Sequence, residues 1–142
     1  MGKPHIDIEY EALVQKACRR LILDGIIKSA HDCSDGGLAV AIAESCMEGR
    51  IGFQGEFSGN GRWDVALFGE QQSRIVVSLS NHHKRSFSEI CNELGVDWIR
   101  LGVVAGNRLI IDGLLDISVE DLRRTWHNAL GRMVTPSQGN LA

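Results

Sequence analysis

The 142-residue chain has no apolar run approaching the roughly 20 residues that a membrane-spanning helix needs. Its first residues, MGKP, lack the apolar core of a secretion signal. An excess of positive charge is also missing, because 15 Lys and Arg stand against 18 Asp and Glu, for a net charge of −3. This balance argues against a nucleic-acid partner or an anionic membrane surface. We therefore expect a soluble, cytoplasmic protein.

The chain contains four cysteines but no C-x-x-C pair, so zinc-knuckle and thioredoxin-like motifs are excluded. These cysteines are Cys18, Cys33, Cys46 and Cys91. We predict that they are reduced thiols, packed mostly as small apolar groups.

Two common phosphate-binding motifs, G-x-x-x-x-G-K-[ST] and G-x-G-x-x-G, are also absent. In their place stands a dense polar segment at the start of AHDCSDGGLAVAIAES, residues 30–45. A strand that turns sharply into a helix leaves free N–H groups that attract anions, and Gly36 and Gly37 let a ligand approach the backbone closely. Because Asp32 and Asp35 would repel a phosphate, we predict a magnesium ion, which binds carboxylate and phosphate oxygens together.

Two other interpretations of the same segment remain open. In the first, Asp35 or Ser34 merely caps the helix, and Asp32 pairs with a neighbouring donor. In the second, His31 and Cys33 lie on one face of the strand, which permits a base and a thiol nucleophile, although a packed pair is favoured.

A second polar cluster, FGEQQSR at residues 68–74, interrupts the apolar pattern. Glu70 can offer a cation another hard oxygen, Gln71 and Gln72 can bind polar ligand atoms, and Arg74 can make a bidentate contact with phosphate or carboxylate. The alternative is an exposed turn with a weak ion pair between Arg74 and Glu70.

Hydrophobic periodicity predicts four helices and five or six strands, and hence one domain of residues 1–133 with a frayed tail, 134–142. The predicted helices cover residues 8–24 and 38–47, a segment between a cap at Ser80 or Asn81 and Gly95, and one that starts at the capping pair Ser118 and Asp121. The predicted strands are 26–32, 51–57, 65–68, 74–79, 98–104 and 108–111, with a turn at 58–61 and a hairpin-like turn at 105–107. This order indicates a mixed α/β sheet with helices against it.

Three segments in this order, AHDCSDGGLAVAIAES, LFGEQQSRIVVSLS and ISVEDLRRTWHNAL, closely resemble the C-terminal domain of phosphoribosylformylglycinamidine synthases. The opening GKPHIDIEYEALVQKACRRLI resembles the helix that leads into that domain, so the resemblance spans residues 2–133. It implies an α+β fold, a mixed β-sheet flanked by helices and partly ferredoxin-like, as in the C-terminal domain of aminoimidazole ribonucleotide synthetase.

The resemblance also implies an activity. These synthetases use ATP to convert formylglycinamide ribonucleotide and glutamine-derived ammonia to formylglycinamidine ribonucleotide in purine biosynthesis. On matching positions, Asp32 is implied as a magnesium ligand and Ser34 as a nucleotide contact at an auxiliary site. The segment Glu70–Gln72 resembles an E-S-Q segment that contacts the ribonucleotide, while Cys33 stands where the small forms usually have valine.

This chain resembles only the last of four synthetase domains. The family's catalytic histidine and most ATP contacts belong to a region it lacks, so we expect no catalytic residue here, an inactive fragment and exposed apolar surface that permits self-association. The implied partners are the remaining synthetase domains, a glutaminase subunit and a small bridging subunit, and the short tail favours the small, multi-subunit form. Two alternatives remain open. One is another member of the superfamily: aminoimidazole ribonucleotide synthetase, selenophosphate synthetase or a hydrogenase-maturation protein. The other is a non-catalytic interaction module.

Overall fold

The computed structural model describes residues 7–55 and 62–134, with side chains through residue 129. The turn predicted at 58–61 and most of the predicted tail lie outside the described residues. Within this part, the helices are α1 (Ile8–Leu23), α2 (Gly37–Gly49), α3 (Trp63–Phe68), α4 (Lys84–Leu94) and α5 (Val119–Val134). The strands are β1 (Ile27–Asp32), β2 (Phe53–Gly55), β3 (Ile75–Leu79), β4 (Gly102–Val104), β5 (Arg108–Ile111) and β6 (Leu115–Ser118). The predicted mixed architecture is confirmed.

The strands form two sheets. β1 pairs antiparallel with β3, and a four-stranded mixed sheet has the order β4-β2-β5-β6. The predicted hairpin across residues 105–107 is wrong, because β2 lies between β4 and β5, antiparallel to the first and parallel to the second. Gly52 explains this insertion: its N–H donates to the Gly106 carbonyl at 2.8 Å and its carbonyl accepts from the Ala105 N–H at 2.9 Å. A Cβ atom there would lie only 2.5 Å from the Arg108 backbone nitrogen, so only glycine fits.

The apolar run at residues 65–68, predicted as a strand, is part of helix α3 instead. Arg62 and Asp64 pair at its start, with 3.1 Å between Nε and Oδ1, and an acidic side chain in a first turn stabilises the helix dipole. Only Leu67 of this helix is buried. A run of four apolar residues is compatible with either structure, so tertiary packing decided the outcome.

At the C-terminal side of β5, the chain turns at Gly113, whose φ of +72° favours glycine, and forms β6, a strand the sequence pattern did not predict. The strand predicted at 98–104 is shorter and begins at Gly102. The predicted capping pair is confirmed, because the Ser118 hydroxyl accepts the Asp121 N–H at 3.0 Å and donates to its carboxylate.

Helix α2 is the centre of the main core, as its continuous apolar run predicted. Its buried face packs with Leu67 of α3, with Leu109 and Ile111 of β5 and with Val119 of α5. A second core joins α1, α4 and the inner face of the β1–β3 pair. All four cysteines are free thiols and three are buried, which confirms that prediction. In the described part of the chain, no helix has the length and apolarity to cross a membrane.

Candidate functional site

The connection from β1 to α2 is a tight turn built on two glycines. The Ser34 carbonyl accepts the Gly37 N–H at 3.0 Å. Gly36, at φ 80° and ψ 0°, has the conformation of the third residue of a type II turn, and Gly37 follows at φ 70°. Gly36 is the N-cap of α2, and no side chain caps this helix. The alternative in which Asp35 or Ser34 provides the cap is therefore wrong.

The space beside both glycines is filled by protein. A Cβ atom on Gly37 would lie 2.9 Å from the Gly69 carbonyl oxygen and 3.0 Å from that of Leu67, and one on Gly36 would overlap the Val40 side chain. The last turn of α3 thus rests directly against the first residue of α2. The glycines allow this contact, while the approach of a ligand to their backbone stays a prediction.

The structure brings the two polar segments of the sequence together through Glu70. Its Oε1 atom accepts the N–H of Gly36 at 3.1 Å, across 34 positions of sequence. This contact joins the segment 70–72 to the turn that begins α2. The predicted alternative of an ion pair between Glu70 and Arg74 is not formed.

Arg74 turns its guanidinium toward the end of α3. Nη1 donates to the Ala66 carbonyl at 3.4 Å, and Nη2 donates to that of Gly69. The carbonyl of Arg74 accepts the Cys33 N–H at 3.0 Å. Its predicted contact with a ligand stays a prediction, and these contacts with the protein were not foreseen.

The remaining predicted site residues are exposed. Ser34 and Asp35 lie in the turn, Asp32 lies opposite Ile75 at the end of β1, and the side chains of Gln71 and Gln72 follow Glu70 at the surface. Across residues 7–55 and 62–129, no group of three or more His, Cys, Asp or Glu side chains is placed to bind a metal ion. A magnesium site formed by these described residues is therefore at most partial, and its other ligands would come from water, a phosphate or other parts of the protein.

His31 and Cys33 were predicted to share one face of the strand, and both contact α2. His31 Nδ1 lies 2.8 Å from the Asp32 carbonyl oxygen, and its Nε2 lies 3.2 Å from Glu44 Oε2. Burial raises the pKa of the Cys33 thiol, which keeps it neutral and disfavours a nucleophilic role. Sequence reasoning missed the partner, Glu44; its signal is a carboxylate in an otherwise apolar stretch of α2.

Another carboxylate approaches the second polar segment from α1. The pKa of Glu11 is below its ordinary value, first because the Ser73 side chain hydrogen-bonds to it and then because Gln15 donates to it, at 2.7 Å. Ser73 has a φ of 61°, in the left-handed region that few side chains adopt. Glu11 of α1 thus lies near Ser73 of the second polar segment.

Comparison with known proteins places these features in a family. The model of the AIR synthase related protein, C-terminal domain, matches residues 2–112. The subunit PurL of phosphoribosylformylglycinamidine synthase from Anaeromyxobacter dehalogenans (strain 2CP-C) is 42% identical over 89% of this chain, and that from Thermomicrobium roseum is 40% identical over 89%. The chain spans only about 18% of the length of these relatives.

Solved structures support the same fold. Phosphoribosylformylglycinamidine synthase II from Thermotoga maritima aligns with a TM-score of 0.73 at 18% identity, over 84% of this chain and 22% of that one. PurL of that organism complexed with FGAR and with ATP aligns at 0.68 and 0.67, each at 18% identity, over 80% and 78% of this chain and 21% of theirs. The structure of its PurLQS aligns at 0.72 and 19% identity, over 83% of this chain and 22% of that one.

Proposed function

The chain belongs to the AIR synthase related protein family as a C-terminal domain, and we propose that it is the last domain of a phosphoribosylformylglycinamidine synthase. The parent enzyme uses ATP to join glutamine-derived ammonia to formylglycinamide ribonucleotide. The support is the identity of 40–42% to synthase subunits across nearly nine-tenths of the chain. Its similarity to folds solved with ATP and with FGAR agrees with this assignment.

Within that enzyme, this domain contributes part of a magnesium-nucleotide site. The observation that carries the proposal is the hydrogen bond between Glu70 Oε1 and the Gly36 N–H, which joins two polar segments far apart in sequence. In this arrangement Ser34, Gly36 and Gly37 present a turn to the nucleotide, and Gln71 and Gln72 line the exposed side. Arg74 borders the same segment.

The donor set suits magnesium as a partial site. Magnesium is bound in proteins through one or two carboxylates together with phosphate oxygens and water, and it offsets the negative charge between them. Asp32 supplies the first hard oxygen, and we propose that Glu70, whose Oε1 accepts the Gly36 N–H, supplies another. Since the described residues contain no complete ligand cluster, another domain completes the site.

The domain holds no catalytic residue of its own and is inactive alone. Its partners are the remaining synthetase domains, a glutaminase subunit and a small bridging subunit in the cytoplasm. Exposed apolar side chains on α3 suit such contacts: Val65 is 51% exposed and Phe68 is 53% exposed.

Calorimetric titration with ATP and ADP, with and without magnesium, tests the site. We expect binding that requires magnesium and weakens at least tenfold in Asp32→Asn. The matched control, Asp112→Asn, changes an exposed aspartate in the turn after β5 and is expected to bind as the unchanged chain does. Equal binding by both variants would remove Asp32 from the site. Absence of binding would leave the family assignment intact but make this domain structural until another domain completes its site.

A chimera tests the reaction. This chain replaces the matching domain of the Anaeromyxobacter dehalogenans relative, and ATP-dependent conversion of formylglycinamide ribonucleotide is measured with ammonia as the nitrogen source. We expect an active chimera. A chimera that folds, assembles and has no activity would count against the proposed synthase and favour another enzyme of the superfamily.

A further inference from the structure

Arg74 connects the two polar segments through different parts of one residue. Its backbone carbonyl is fixed to the Cys33 N–H, just before the turn that starts α2, at 3.0 Å. Its guanidinium is fixed to the carbonyls of Ala66 and Gly69 at the end of α3. Arg74 therefore sets the distance between the end of β1 and the end of α3.

Beside the guanidinium of Arg74, the Gly69 carbonyl accepts the Gln71 N–H at 3.1 Å. The last carbonyls of a helix have no partner within the helix, and they carry the negative end of its dipole, so a guanidinium is well suited to them. The first residue of α2 also lies against the Gly69 carbonyl, since a Cβ on Gly37 would lie 2.9 Å from its oxygen. The end of α3 is thus contacted by both Arg74 and Gly37.

The next residue after Gly69 is Glu70, whose carboxylate reaches the Gly36 N–H. Fixing the Gly69 carbonyl fixes the peptide from which the Glu70 side chain departs. The Arg74 Nε atom is buried and makes no hydrogen bond to the described residues, so this edge of the guanidinium is closed to a ligand. The two Nη atoms each donate to a carbonyl of the protein.

We infer that Arg74 is a positioning residue: it aims the Glu70 carboxylate at Gly36 and acts through Glu70, without contact to the ligand. This inference depends on the proposed function in one respect only, namely that the segment 70–72 belongs to a nucleotide site. A lysine cannot replace it, because a single ammonium lacks the planar fork that reaches two carbonyls.

The test uses the amide resonance of Gly36 in the ¹⁵N-labelled chain. A carboxylate acceptor gives a strong, charge-assisted hydrogen bond, so Glu70→Gln should move this proton resonance upfield and define the full effect. We expect Arg74→Lys and Arg74→Met to move it by more than half of that displacement. Arg108→Met is the control, since Arg108 pairs with Asp116 at 2.6 Å on the four-stranded sheet, and it should leave Gly36 in place.

A purely structural role would lower the melting temperature without a specific displacement at Gly36. A folded Arg74→Lys chain with the Gly36 resonance unchanged would overturn the inference, and so would a Glu70→Gln chain in which it does not move. The readout needs no nucleotide, so it separates this inference from the proposed function. If magnesium-ATP binds, Arg74→Lys should weaken it about as much as Glu70→Gln does, whereas full affinity in Arg74→Lys would overturn the inference.

Discussion

The close contact between α2 and α3 is possible because Gly37 has no side chain, and Gly37→Ala tests how much free energy this contact contributes to stability. The substitution has two unfavourable effects, which add. At φ 70° an L-residue is in the left-handed region, at a cost of about 1–2 kcal/mol. The new Cβ would also lie 2.9 Å from the Gly69 oxygen and the Phe68 carbonyl carbon, and overpacking of this kind costs about 1–3 kcal/mol.

A smaller effect works the other way. Alanine restricts the unfolded chain and recovers about 0.4–1 kcal/mol. We expect Gly37→Ala to lower the free energy of unfolding by about 2–4 kcal/mol, a large part of the roughly 5–15 kcal/mol typical of a domain.

Gly25→Ala is the matched control. Gly25 has a nearly identical φ of 67°, at the end of α1, but nothing lies within 4 Å of its missing Cβ. Gly25→Ala should therefore lower the free energy of unfolding only by the conformational cost, about 1 kcal/mol. Urea unfolding followed by circular dichroism measures both variants. Equal losses would refute the reasoning, because the packing against the α3 backbone would then contribute nothing.

Two further predictions concern stability. Ser118→Ala removes the side-chain cap of α5 and should lower the free energy of unfolding by about 1 kcal/mol, whereas Ser80→Ala, at a helix start where the hydroxyl makes no capping bond, should change it by less than about 0.5 kcal/mol in the same urea titrations. Burial raises the pKa of the Cys46 thiol from 9.0 to about 11, so between these pH values the unfolded chain loses a proton that the folded chain keeps. Stability should fall with rising pH by on the order of 2 kcal/mol over this window, and Cys46→Ala should flatten the decline; an unchanged slope would contradict it.

Local signals in the sequence were sufficient for most helices. The ends of α1 and α4 are marked by Gly25 and Gly95, both with positive φ, and the start of α5 by Ser118 and its capping bond. Each signal acts within one or two turns of the chain. The apolar run of α2 likewise predicted a buried helix, because no face of it is polar enough for water.

The pairing of the strands could not be predicted in this way. The hairpin expected across residues 105–107 is opened by β2, and the only hint of it is Gly52, whose importance depends on the backbone of Arg108 beside it. Short apolar segments such as 65–68 fit a helix or a strand equally well. Long-range packing selects between helix and strand, and hydrophobic periodicity carries no information about that packing.

The contacts within the candidate site could be predicted only in part. Its two polar segments were identified separately, but the bond from Glu70 to Gly36 joins them through the tertiary structure. The pairing of His31 with Glu44, at 3.2 Å, and the position of Arg74 over the carbonyls of α3 depend equally on which elements pack together. Residue types indicate what chemistry is available, and the fold decides which partner each group meets.

The central position of β2 in its sheet also governs how the chain folds. β4 and β5 are close in sequence, yet each pairs with Phe53–Gly55 and neither pairs with the other, so the local hairpin of β5 and β6 cannot recruit β4 without β2. A long loop must close first, at an entropic cost that is met before any ladder hydrogen bond of β2 forms. Folding of the four-stranded sheet should therefore be a late and cooperative event, on the slower timescale of domains with many non-local contacts, while the helices form early.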